Sequence, residues 1–296
     1  MMKLPLSGTI TALVTPMNND GSIDHASLKN LIDMQISNGI TAIVPCGSTG
    51  ESATMSVDEK CAVIRTTVEH AAGRVPVIAG TGSNDTMAAI LMTRKAKELG
   101  ADAVLLVSPF YNKPTQRGLI AHFSAIAESC DIPQILYNVP GRTASNMLAE
   151  TQLALAERHP HIIATKEASA DLEQIMEIIR NRPEHFTVLA GDDSLALPII
   201  ASGGHGVISV LSNYAPAQFG ACINAALQGR WEEARSMHYA LFDLMKLNFI
   251  ETNPIPVKGI LSMMGLCKEE YRLPMQPLLP ENKETLRKAL QKAGIL

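Results

Sequence analysis

Eight short aliphatic runs recur along the first two thirds of this 296-residue chain, and their rhythm limits the folds it can adopt. They are Thr9–Val14, Thr41–Val44, Pro76–Ala79, Ala103–Val107, Gln134–Tyr137, Ile162–Thr165, Thr187–Ala190 and Gly206–Val210. Each has strand length and ends at, or close to, a Pro, Gly, Ser, Asn or Lys. Amphipathic stretches with polar starts separate them. Ser56-Val57-Asp58-Glu59 opens one, with Val63, Ile64, Val68 and Ala71 at helical spacing. Asn84-Asp85 opens another, in which Met87, Ile90, Leu91 and Leu99 share a predicted face, and Asp171 opens a third with Leu172, Ile175, Ile178 and Ile179. Continuous apolar strands alternating with helices imply a parallel sheet covered on both faces. Eight of them in about 210 residues predict a (β/α)8 TIM barrel. The main alternative, a doubly wound open sheet, usually carries a Gly-x-Gly-x-x-Gly turn after its first strand. Here that strand runs into Thr15-Pro16-Met17-Asn18-Asn19.

The strand signal stops near Ala215. Gln218–Leu227, Trp231–Leu247 and Asn282–Ala293 read as helices, joined by Pro-rich segments such as Asn253-Pro254-Ile255-Pro256. The expected organisation is a catalytic barrel over residues 1–228 and a C-terminal helical region over 229–296. A region of about 70 residues is long for a loose tail, so it is expected to pack on the barrel or to join an oligomer interface.

Composition removes several classes of function. A net charge of −4 with no dense Lys/Arg stripe argues against a nucleic-acid surface. Met1-Met2-Lys3-Leu4-Pro5-Leu6-Ser7-Gly8 lacks the apolar core of a signal peptide, and no apolar run reaches the ~18 residues of a membrane span. Five cysteines, odd in number and without Cys-x-x-Cys spacing, fit reduced thiols better than disulfides or zinc. A cytoplasmic protein without membrane contact is expected. The closest histidine pair, His159-Pro160-His161, precedes the sixth strand and so belongs to the wrong end of a barrel for a metal site. No metal or other cofactor is expected.

Barrel enzymes carry their chemistry on the loops after the strand C-termini. Those positions hold Gly47-Ser48-Thr49-Gly50-Glu51, Gly80-Thr81-Gly82, Phe110-Tyr111-Asn112, Tyr137 with Arg142, Lys166, Gly191-Asp192-Asp193 and Ser209. Gly47–Gly50 can present backbone N–H groups and two hydroxyls to a small anion, or be an ordinary tight turn. Lys166 can cap a strand end in water, as most lysines do. It can equally sit desolvated, where burial lowers its pKa and frees a neutral amine to attack a carbonyl. Asp192-Asp193 can bind a metal or start a hydrogen-bonded loop. One amine, two phenols, two hydroxyls and a guanidinium suit imine chemistry, with tyrosine moving protons and arginine gripping a carboxylate.

Gly47-Ser48-Thr49-Gly50-Glu51, Tyr137-Asn138-Val139-Pro140-Gly141-Arg142-Thr143, Lys166-Glu167-Ala168 and Asn253-Pro254-Ile255-Pro256-Val257-Lys258 resemble motifs of the pyruvate-dependent class I aldolases of the N-acetylneuraminate lyase superfamily. Within it the likeness is strongest to the dihydrodipicolinate synthases and runs nearly end to end. The resemblance implies that Lys166 forms a Schiff base with pyruvate, whose enamine attacks L-aspartate 4-semialdehyde to give 4-hydroxy-tetrahydrodipicolinate, the committed step toward diaminopimelate and lysine. It implies Tyr137 as the proton shuttle, with Ser48 and Tyr111 in its relay and Tyr111 reaching across a dimer interface. Thr49, the backbone at Ile208 and Gly191 match substrate-holding positions, and Arg142 matches the residue that binds the semialdehyde carboxylate. The family is usually a homotetramer, a dimer of dimers, without a cofactor.

Two departures stand out. Ser48 occupies a place where synthases commonly have threonine and the sugar-acid aldolases often have serine, whereas the Arg142-Thr143 ending is typical of the synthases. At the lysine-binding interface of inhibited members, near Ser52, Ala53 and Asn84, this chain has Val57, Lys60, Ala88 and Phe110 in place of histidines, a glutamate and a tyrosine. Weak or absent lysine feedback is expected. Two other readings stay open: an aldolase for N-acetylneuraminate or a 2-keto-3-deoxy sugar acid, and a barrel that binds without catalysis.

Overall fold

The computed structural model describes residues 6–296; the first five residues of the segment considered for a targeting signal lie outside it. Eight parallel strands, β1 (Gly8–Ala12), β2 (Ala42–Val44), β3 (Ile78–Gly80), β4 (Ala103–Val107), β5 (Gln134–Asn138), β6 (Ile162–Glu167), β7 (Thr187–Ala190) and β8 (Gly206–Ser209), coincide with the eight predicted runs to within two residues at each end. They are ordered β2-β1-β8-β7-β6-β5-β4-β3. A parallel bridge between Ile43 and Val77, with Ile43 N–H donating to the Pro76 carbonyl, joins the two outer strands and closes the barrel.

Helices alternate with the strands: α1 (His25–Ser37), α2 (Val57–Ala71), α3 (Thr86–Glu98), α4 (Gln116–Ser129), α5 (Pro140–Thr143), α6 (Ala149–Arg158), α7 (Leu172–Asn181), α8 (Ala196–Ala201) and α9 (Pro216–Leu227). The polar starts act as expected. Ser56 and Glu59 form a reciprocal capping box on α2, and Asp85 and Asp171 accept backbone N–H groups at the starts of α3 and α7. The predicted apolar face of α3 is corrected. Ala89, Ile90, Met92, Thr93 and Ala96 are buried, whereas Met87 is 68% and Leu91 48% exposed. The buried face is built from Ala89, Thr93 and Ala96 with Ile90 and Met92, and it leaves Met87 and Leu91 on the outer side.

The C-terminal region adds α10 (Trp231–Leu247), α11 (Ile255–Met263) and α12 (Pro280–Lys292). α11 replaces what the sequence suggested was a Pro-rich joint; its prolines fall in the first turn, where no intrahelical N–H is needed. One apolar core runs without interruption from the barrel helices (Phe219, Ile223) into these helices (Leu244, Val257, Leu286, Leu290). A separate cluster fills the barrel interior, with Ile10, Val44, Ile78, Leu105, Ile135, Leu189 and Ile208 among its members. Among the described residues, no helix is long and apolar enough to cross a membrane.

Candidate active site

The decisive local event is an irregularity in β6. Gln134 pairs with Ile162, but Ile135 pairs with Ala164, so Ile163 is an extra residue and the register shifts by one. Paired residues of parallel strands share a face, and a one-residue shift exchanges the faces. Beyond the shift Tyr137 pairs with Lys166, and both face the barrel interior. In an unshifted register Thr165 would face inward and Lys166 would point into the helix layer. No pattern of apolar residues announced this shift, because Ile162, Ile163 and Ala164 are all apolar.

Lys166 is therefore buried, with Nζ 4.3 Å from the centre of the Tyr137 ring. Burial lowers its pKa to about 8, opposed by the Asp192 and Asp193 carboxylates and assisted by the Arg142 guanidinium. At pH 7 roughly one amine in ten is then neutral, against fewer than one in a thousand for an unperturbed lysine. Burial also pushes the Tyr137 phenol up to about 12, with Arg142 pulling it down. A free phenolate is therefore scarce at neutral pH, and proton movement through Tyr137 calls for neighbouring hydroxyls.

A narrow cavity of about 50 Å3 brings Lys166, Tyr137, Ser48, Thr49, Arg142 and Gly191 together. Thr49 is buried and its Oγ1 accepts from Asn253 Nδ2 at 3.0 Å, while Ser48 is exposed. Arg142, on α5, is exposed at the mouth, and its Nη2 donates to the Asn253 carbonyl at 3.1 Å. Gly191 N–H donates to the Glu167 carbonyl, and a Cβ at this position would come within 2.6 Å of Ala168 Cβ; only glycine allows this approach. Ile208 is fully buried in the barrel core and does not line the cavity with its side chain. Its strand passes the last β7–β8 pair, Ala190 with Val207, at this residue. Tyr111 is not brought into the cavity of its own chain; it is 89% exposed with a left-handed backbone, φ 71°.

Sequence reasoning missed Phe249 and Asn253 as lining residues, and it placed Asp192 at this end of the barrel only as a metal ligand or loop start. Asn253 sits in a motif that carried the family likeness, but nothing in its spacing linked it to Thr49. Asp193 resolves as a loop anchor: its Oδ2 accepts the backbone N–H groups of Val210 and Leu211. Burial raises its pKa to about 6, opposed by those bonds and by Ser209. A larger groove of about 640 Å3, bordered by Met237, Tyr239, Asp243 and Lys292 on α10 and α12, gathers no buried titratable group, so size does not locate the chemistry. Strain does. Among the described residues, six of the seven non-glycine residues with positive φ (Cys46, Glu51, Tyr111, Lys113, Ala144 and Ala170) follow β2, β4, β5 or β6 at this end of the barrel.

The sequence matches the profile of the Dihydrodipicolinate synthetase family over residues 5–293. The chain belongs to that family. A 4-hydroxy-tetrahydrodipicolinate synthase of Koribacter versatilis is 52% identical to it over 297 residues, covering 99% of this chain and 98% of the relative. The crystal structure of the dihydrodipicolinate synthase of Aquifex aeolicus superposes with a TM-score of 0.96 at 48% identity, covering 98% of this chain and 99% of that one. A structure described as the first monomeric dihydrodipicolinate synthase variant matches with a TM-score of 0.97 at 40% identity, covering 98% of each chain.

Proposed function

We propose that the chain condenses pyruvate with L-aspartate 4-semialdehyde to give 4-hydroxy-tetrahydrodipicolinate, the committed step toward diaminopimelate and lysine. The observation that carries this reading is the buried Lys166 amine facing Tyr137 beneath Arg142, in a chain of this family. The neutral amine attacks the pyruvate C2 carbonyl, and water leaves as the imine forms. Loss of a C3 proton gives the enamine, and C3 attacks the aldehyde carbon. The semialdehyde amine then attacks C2, closing the ring and releasing Lys166. Tyr137 moves the protons through Ser48 and a partner subunit's copy of Tyr111. Thr49, Gly191 and the Ile208 backbone hold pyruvate, and Arg142 holds the semialdehyde carboxylate in its planar fork.

Pyruvate with borohydride tests the chemistry: a reduced adduct confined to Lys166 is expected, and no adduct would point to a binding barrel. Assays with aspartate semialdehyde against N-acetylneuraminate and 2-keto-3-deoxy sugar acids test the second substrate. Turnover only with the sugar acids would transfer the assignment to that branch of the superfamily, which Ser48 also suits; Arg142 favours the synthase.

The assembly is read as a homotetramer, a dimer of dimers, in the cytoplasm, with residues 229–296 as a helical region that completes the barrel's site. Exposed Met87, Leu91, Phe110 and Tyr111 support a dimer contact beside the site. A fully active monomer would overturn the role of Tyr111. Lysine feedback is weak or absent, because Val57, Lys60, Ala88 and Phe110 provide no carboxylate for the lysine amine and Lys60 adds a like charge. Strong inhibition of the purified protein by sub-millimolar lysine would refute this.

A further inference from the structure

Two of the motifs behind the family likeness end in charged residues that the reaction leaves unused. Glu51 closes Gly47–Glu51, and Lys258 closes Asn253–Lys258. They meet across 207 positions of sequence: Lys258 Nζ donates to Glu51 Oε1 at 2.6 Å, with the side chains 0% and 3% exposed. The same Nζ donates to the Glu270 carbonyl and lies 5.0 Å from the centre of the Tyr271 ring. Attraction within a buried pair only about balances the cost of desolvating both charges. Such a pair contributes little net stability over apolar residues of the same volume, but it fixes the position of what it joins.

What it joins here is strained. Glu51 has φ 55° and Cys46 φ 57°, so two non-glycine residues in the left-handed region bracket the segment that carries Ser48 and Thr49. The surroundings hold the loop in that shape. Thr15 Oγ1 donates to the Gly50 carbonyl at 2.8 Å, and a Cβ on Gly50 would press within 3.1 Å of both the Leu13 carbonyl and Cys46 N. From the C-terminal side, Asn253, just before α11, grips Thr49, and Lys258, in the first turn of α11, grips Glu51.

We propose that the Lys258–Glu51 pair is a positioning device that sets Ser48 and Thr49 against the cavity, making α11 an integral part of the pyruvate half of the site. The inference rests on the proposed reaction. Lys258→Met and Glu51→Gln in the full chain test it through the pyruvate concentration that half-saturates borohydride trapping at Lys166, alongside steady-state kinetics. Half-saturation and the pyruvate KM are expected to rise about tenfold, while the semialdehyde KM changes less than about threefold. A pair that only stabilises the fold would lower Tm and leave half-saturation within about twofold of the parent, which would overturn the proposal. Should Lys258→Met fail to fold, Glu51→Gln, which removes the charge that holds Nζ while keeping the side-chain volume, reports the same ratio. Absence of trapping in the parent protein is a separate outcome: it sinks the proposed reaction, and this positioning role with it.

Discussion

Lys166 and Glu167 are consecutive residues of β6, both buried, and their surroundings are opposite. Lys166 faces the barrel interior over an aromatic ring, with its nearest carboxylates in the loop after β7. Glu167 faces the helix layer and accepts five hydrogen bonds. Asn138 Nδ2 and Gln152 Nε2 donate to Oε1 at 2.7 Å, Gln174 Nε2 donates there at 3.3 Å, and the Ser169 hydroxyl and N–H donate to Oε2 at 2.5 and 3.3 Å. Burial raises the Glu167 pKa above the ordinary carboxylate value, and these bonds oppose the rise. Desolvation thus leaves one group reactive and the other fixed, and the number of donors decides which. The two faces also cooperate. Asn138 pairs with Glu167 as Tyr137 pairs with Lys166, so the polar clasp behind the strands locks the register that aligns amine and phenol in front.

The comparison makes predictions that can break it. Lys166→Met should lower activity by at least about a thousandfold and abolish trapping, since among the described residues no other amine lines the cavity. The same change should raise stability at pH 7 by roughly 1–3 kcal/mol, visible in chemical denaturation. The sign follows from the folded pKa of about 8 lying below the ordinary 10.5. The neutral lysine's contribution is fully present above about 10.5 and lost as pH falls through about 8, so the gain from methionine is largest below pH 8 and fades above it. If Lys166→Met were destabilised at pH 7, the desolvation account of this face would be wrong.

The next effect is kinetic. Imine formation in single turnovers should fall about tenfold per pH unit below pH 8 and level off above it; a flat profile from pH 6 to 9 would contradict a titrating amine. At the mouth, Arg142→Lys should raise the semialdehyde KM about tenfold and move the pyruvate KM less than about threefold, because an ammonium keeps the charge and loses the fork. The smallest change in activity is expected behind the strand. Glu167→Gln should lower kcat only a few-fold while costing about 1–3 kcal/mol of stability through mispaired buried donors, measured as a fall of several degrees in Tm. A loss of activity as large as that of Lys166→Met, with Tm unchanged, would give Glu167 a chemical role and end the division between the faces.

The sequence by itself determined the barrel, the capped starts of α2, α3 and α7, and the short roster of reactive side chains at the strand ends. Those follow from periodicity and local capping, which act over a few residues. It did not reveal the extra residue at Ile163, because apolar neighbours carry no mark of register, yet that residue turns Lys166 inward. Nor could spacing show that Asn253 and Lys258 close on Thr49 and Glu51 more than 200 positions away. Which amine is desolvated, which carboxylate is satisfied and which loop is braced depend on distances set only when distant segments pack. Tertiary structure therefore decided the chemistry of side chains whose identities the sequence already displayed.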